Sequence, residues 1–245
     1  MNDTLGSTSP DVRTVDSGRG LAWWTEAWAL FTPSAILWTA LGLIMIVGYA
    51  VVSMVPVVGG LALALATPVL VGSWMLAAQK VQGGGALAVG DLFTCFTGER
   101  LMPLVVLGAL LVAATVVIGV VAGALGMGAM FGMMAGGARH GMGSVMTAMG
   151  AGMLALLVML LLVMLASMAL WFAPALVVFR GTAPVDALRV SFAATLKNIA
   201  PFLVWSLIYI VASIVASIPF ALGWIVLVPV TMLSVYVSYR DVFAG

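Results

Sequence analysis

The stretch that decides the fold is Ser34 to Ala78, SAILWTALGLIMIVGYAVVSMVPVVGGLALALATPVLVGSWMLAA. It carries no Asp, Glu, Lys or Arg, and Pro56 with Gly59 and Gly60 separates two apolar runs. A helix rises about 1.5 Å per residue and the hydrocarbon core of a bilayer is about 30 Å thick, so ~20 apolar residues make one crossing. The stretch is long enough for two crossings. Proline ends a helix and glycine permits a reversal, so the cluster predicts a tight turn between two membrane helices.

Two further blocks share this character. No charge occurs from Asn198 to Tyr239, and only Arg139 interrupts Leu101 to Phe179. Each block reads as a pair of spans, at 34–54, 57–79, 102–125, 152–176, 201–218 and 221–239. The predicted fold class is therefore all-α: a polytopic membrane helix bundle of six transmembrane helices arranged as three hairpins. The chain is 64% hydrophobic and 7% charged, far below the ~25% charged residues that keep a soluble surface wet. Residues 1–19, rich in Ser, Thr, Asp and Gly, are expected to form a disordered polar tail, with one membrane domain over 20–245. The tail lacks a basic segment running into an apolar core, which argues against a cleaved signal peptide. Between the middle spans, residues 126–151 are crowded with Met and Gly, and glycine's cost of ~1 kcal/mol in a helix predicts a flexible loop or fraying helix ends there.

A shorter segment precedes each pair. Leu21, Trp24 and Trp28 are spaced i, i+3, i+7, as are Val89, Leu92 and Phe96, and Val185, Leu188 and Phe192. Helical geometry puts each trio on one face, so these segments are expected to be short amphipathic helices lying in the membrane interface. Trp23, Trp24, Trp28, Phe96 and Phe192 are their candidate interfacial anchors. A proline also recurs in the second span of each pair, at Pro68, Pro174 and Pro229, shortly before Lys80, Arg180 and Arg240. These regularities suggest three diverged copies of one unit at about 20–80, 86–180 and 183–240. The prolines are candidate kinks whose freed carbonyls can line a pathway.

Six spans put Arg13, Arg19, Lys80, Arg100, Arg180, Arg189, Lys197 and Arg240 on the side of the N-terminus, and Arg139 alone on the other. The positive-inside rule then makes both termini cytoplasmic. The predicted spans hold no charge at their centres, which counts against an ion-coupled pump or voltage sensor. Net charge is +1, giving no electrostatic case for nucleic acid. The single histidine, His140, belongs to no nucleophile triad or zinc-type pair, so the chain is expected not to be an enzyme and to need no cofactor. The single cysteine, Cys95, excludes an intramolecular disulfide.

Met130, Met133, Met134 and Met142 flank His140, and thioether with imidazole suits Cu(I), so these five are candidate metal ligands. Methionine is also an adaptable filler beside glycine. Gly119 and Gly123 form a Gly-x-x-x-Gly step that serves helix packing, either within the chain or between copies in a homo-oligomer.

Gly20–Phe31, Val55–Gly60, Gly90–Phe93, Leu170–Val178, Asp186–Phe192 and Ser238–Phe243 together resemble a family of uncharacterised proteobacterial multi-pass inner-membrane proteins. The segment from Met127 to Met149 looks like an addition to that pattern. The resemblance implies residence in a bacterial inner membrane and supplies no substrate or catalytic residue. The expected function is a non-enzymatic scaffold or lipid-interacting envelope factor whose partners are membrane lipids. A transporter or channel for a neutral or amphiphilic solute is the alternative, and soft-metal binding through the Met-rich segment is the third.

Overall fold

The computed structural model describes residues 12–135 and 142–243. It is helical throughout its elements: α1 (Arg19–Phe31), α2 (Ala35–Ser53), α3 (Val58–Gln82), α4 (Leu101–Ala135), α5 (Met142–Trp171), α6 (Ala173–Arg180), α7 (Pro184–Lys197), α8 (Ile199–Ser217) and α9 (Trp224–Phe243). Short 3₁₀ segments occupy Thr32–Ser34 and Val89–Phe96. Among the described residues six stretches are long and apolar enough to cross a membrane: Arg19–Ser53, Val58–Gln82, Leu101–Met127, Gly152–Arg180, Ile199–Ser217 and Trp224–Phe243. This is the build of a multi-pass membrane protein.

Two of the connections are tight. Val57, at φ 61°, reverses the chain between α2 and α3, and a side chain on Gly59 would collide with the Val52 carbonyl. Tyr49 and Thr67 then join the two helices through their hydroxyls at 2.6 Å. Phe220 and Ala221, at φ 51° and 62°, make the turn between α8 and α9, where Gly223 lies against Ala216.

The middle pair differs. Of the loop or fraying helix ends expected over 126–151, the parts that are described are helical, α4 running to Ala135 and α5 beginning at Met142, while 136–141 lie outside the described residues. At 35 and 30 residues they exceed the ~20 needed for one crossing, whereas α2 and α8 have 19 each. Helix is the only local structure that satisfies every backbone group without partners, and Ala, Leu and Met among the glycines favour it.

The core is built around α3 and α9. Helix α3 packs on α2, α4, α6 and α9, while α9 packs on α1, α2, α3 and α8. Their ends meet where the charges gather. Tyr236 Oη donates to Gln82 Oε1 at 2.5 Å, Arg180 Nη2 donates to the Phe243 carbonyl, and Arg19 pairs with Asp241 and Glu26. Lys80 meets Asp91 at 2.9 Å at the same end.

Residues 12–18, expected to belong to a disordered tail, lie among the described residues and are hydrogen-bonded to the helices. Asn198 accepts from the Val15 amide at 2.8 Å and donates to the Arg13 carbonyl at 2.9 Å, while the Arg13 amide donates to Val242 at 3.0 Å. Arg13 and Val15 are thus tied to the Asn198 side chain, between α7 and α8, and to the end of α9, which the polar composition does not reveal.

The segments before each pair also need correction. In α1 the buried residues are Gly20, Trp23, Trp24, Ala27 and Phe31, so Trp23 and Trp24 are core residues rather than surface anchors. Trp23 is 0% exposed, packs on Phe202 and donates to Asp241 Oδ2 at 2.7 Å. A side chain on Gly20 would strike Pro201, so this glycine is what lets α1 close on α8. Trp28 does face outward. Val89–Phe96 is 3₁₀, where residues three apart eclipse; Leu92 and Cys95 are buried and Phe96 is turned out. Burial pushes the Cys95 thiol pKa up, with the bond to Ser73 and the charge of Arg100 opposing. In α7 the buried face is Ala187, Ser191, Ala194 and Thr195, and Phe192 is half-buried.

Candidate functional site

Each of the three prolines removes an amide and leaves the carbonyl four residues earlier without its helical donor. These carbonyls are Ala64 for Pro68, Leu170 for Pro174 and Ile225 for Pro229. All three prolines are buried, and so are the residues that follow them at +1 and +4: Val69 and Gly72, Ala175 and Val178, Val230 and Leu233.

Two of the three freed carbonyls are met by a glycine from a neighbouring helix. A methyl added to Gly108 of α4 would lie 2.8 Å from the Ala64 oxygen and 2.6 Å from Leu65 Cα. A methyl added to Gly42 of α2 would lie 3.5 Å from the Ile225 oxygen and 3.0 Å from Pro229 Cδ. At Gly108 only a residue without a side chain lets the backbones come so near, whereas at Gly42 the tight neighbour is the Pro229 ring.

At Pro174 the solution is different. The chain breaks at Phe172, and Ser191 of α7 fills the break: its Oγ accepts from the Phe172 amide at 2.9 Å and donates to the Met168 carbonyl at 3.0 Å. The hydroxyl stands in for a lost helical bond. Thr195 donates to the same Met168 carbonyl at 3.2 Å.

Where α5 and α6 face α8, a cavity of about 400 Å³ remains instead of a glycine contact. Leu170, Trp171 and Pro174 form one side, Trp205 and Tyr209 the other, and Thr67, Pro68 and Thr231 line it from α3 and α9. Tyr209, Thr67 and Thr231 lie near the middle of their helices, so the cavity sits at mid-depth. Ser167, exposed, marks its edge at the outer surface of α5. Trp205 and Tyr209 stack at 5.3 Å with rings 8° apart, and Trp171 meets Trp205 edge-on at 4.6 Å. Both indoles are anchored, Trp205 Nε1 to Ser234 Oγ at 2.9 Å and Trp171 Nε1 to Ser238 Oγ at 3.3 Å. Among the described residues no charged side chain lines the cavity. The volume falls within the ~300–1,000 Å³ of small-ligand sites.

A model of a domain of unknown function, DUF7847, matches residues 18–241. The chain belongs to the DUF7847 family. No curated protein and no solved structure matches it. The DUF7847 match takes in all nine helices except the last residues of α9, and with them every residue of the cavity.

The sequence-predicted residues fare unequally. Pro68 and Pro174 line the cavity, and Pro229 packs behind it against Gly42. Gly119 and Gly123 have nothing within 4 Å where a side chain would stand, so they do not pack internally among the described residues. His140 lies outside the described residues, and the helix stretches carrying Met130, Met133, Met134 and Met142 are described without their side chains. Trp171, Trp205, Tyr209 and Thr231 were missed. Apolar composition hides them, because aromatic rings in spans read as lipid-facing or interfacial until neighbouring helices are placed.

Proposed function

We propose that this DUF7847 protein is a non-enzymatic, lipid-binding protein of a bacterial inner membrane, with both termini cytoplasmic. The observation that carries the reading is the uncharged, aromatic-walled cavity at mid-depth, reaching the outer surface at Ser167. Hydrocarbon is the material that surrounds such an opening in a bilayer, and an apolar cavity there favours an apolar chain over water. Three helical hairpins, each introduced by a shorter segment at the charged end, make up the protein as three diverged copies of one unit. The two glycine-to-carbonyl contacts support this repeat, since each sits at the proline of a second span. The cavity is then the third such contact left open.

The test is photocrosslinking in nanodiscs with a diazirine-bearing fatty acid, read by mass spectrometry. Labels should concentrate on peptides holding Leu170, Trp171, Thr231 and Met232 and fall when Ser167→Trp blocks the edge. Uniform labelling of all outward faces would overturn the reading. Reporter fusions after Gly245 and within 136–143 should report opposite sides of the membrane. A second reading, passage of a neutral or amphiphilic solute, is favoured by Pro68 and Pro174 bordering the same cavity. Solute flux in proteoliposomes decides between them.

A further inference from the structure

The turn between α8 and α9 has no polar side chain from Ile218 to Gly223. Ile218, Phe220 and Leu222 point away from the protein at 76%, 97% and 62% exposure. Phe220 and Ala221 hold positive φ, a conformation that turns facing water commonly fill with glycine or asparagine. The backbone of the turn is closed on itself. Every amide from Ile218 to Leu227, Pro219 having none, donates to a main-chain carbonyl of the same hairpin at 2.9 to 3.3 Å. The flanking side chains are paired as well: Trp224 Nε1 donates to Ser217 Oγ at 3.0 Å, and that hydroxyl donates to the Ser213 carbonyl at 2.8 Å. A turn in water can leave such donors to the solvent, whereas in hydrocarbon nothing replaces a missing bond.

Length agrees with this closure. At ~1.5 Å per residue the 19 residues of α8 and the 20 of α9 rise about 28 and 30 Å, no more than the ~30 Å of hydrocarbon. The exposed row Leu203, Leu207, Ile210 and Ile214 of α8 leads into the turn without a charge. Helix α4 behaves otherwise, since the same rise carries Met127 about 39 Å from Leu101 and past the far boundary.

We infer that the α8–α9 turn is a lipid-docking surface, ending inside the hydrocarbon of the leaflet opposite the charged end and covered there by acyl chains. The mid-depth cavity has no part in this. On that side α4 passes beyond the bilayer core and the third hairpin does not.

The experiment places a nitroxide on Phe220→Cys, Leu222→Cys, Ile210→Cys and Met127→Cys of the full-length protein in phosphatidylcholine nanodiscs. Cys95 is buried, and the wild type treated alike gives the blank. Collisions are measured with oxygen, which concentrates in hydrocarbon, and with a polar nickel chelate, which stays in water. The oxygen-to-nickel ratio at 220 and 222 should approach that at Ile210 and exceed that at Met127 about tenfold, because a polar chelate pays heavily to leave water. A ratio at both sites equal to that at Met127 puts the turn in water and overturns the inference. Exclusion of both reagents would mean that protein rather than lipid covers the turn, and overturns it equally.

Discussion

Helices α3 and α9 are the buried ones, with 44% and 56% of their membrane-length windows enclosed, whereas α4 has 17% and the α5–α6 stretch 6%. Yet α4 and α5 are the more apolar pair. In a soluble protein the order would be reversed. Lipid tails are as apolar as leucine, so an aliphatic side chain gains nothing by turning inward, and burial goes to helices whose small or polar residues need a neighbour. Helix α3 brings Pro68, Gly72 and Ser73 inward; α9 brings Pro229, Ser234 and Ser238. Leu154, Leu157 and Leu160 of α5 stay outside.

Helix α4 carries both behaviours, which makes the comparison breakable on one element. Gly108→Val should destabilise by about 3 kcal/mol, because the new side chain meets the α3 backbone rather than a flexible tip. A lowered midpoint in detergent-induced unfolding is the measurement. Tolerance of valine there would mean that α3 and α4 are not closely packed. Next in size, Ser191→Ala strips the hydroxyl from the α5–α6 break and leaves the Phe172 amide unpaired, with the Met168 carbonyl held by Thr195 alone, at a cost of about 2 kcal/mol. The near-ultraviolet dichroism of the neighbouring Trp171 should change with it.

Smaller and opposite in sign, Val57→Gly should stabilise by about 1 kcal/mol, since a β-branched residue is held at φ 61° in the α2–α3 turn. Loss of stability instead would show that the valine side chain itself fastens the turn. Least of all, Gly119→Val and Gly123→Val should shift stability by no more than about 0.5 kcal/mol, as nothing within the chain stands where their side chains would go. A large effect of either, accompanied by loss of energy transfer between labelled copies, would place that face in a homo-oligomer.

The misreadings along the chain have two causes. Leu21, Trp24 and Trp28 have regular spacing, but the face that packs is Gly20, Trp23, Trp24, Ala27 and Phe31, because Gly20 admits Pro201 and Trp23 finds Asp241. Neither partner is near in sequence. Helix extends into 126–135 and 142–151, where a loop or fraying ends were expected, because propensity measured in water overstates glycine's penalty where backbone groups have no solvent to bond. The Pro56–Gly60 turn was legible because its determinants are local.

The sequence by itself determined the class, the six long apolar stretches and the prolines, since length, charge spacing and missing amides are properties of the chain alone. Only the tertiary structure decided which proline carbonyl is closed by Gly108, which by Gly42, and where a cavity stands instead. In a hydrocarbon solvent the apolar pattern does not tell inside from outside. That distinction rests on shape and hydrogen-bond partners, and those are brought together only when distant helices meet.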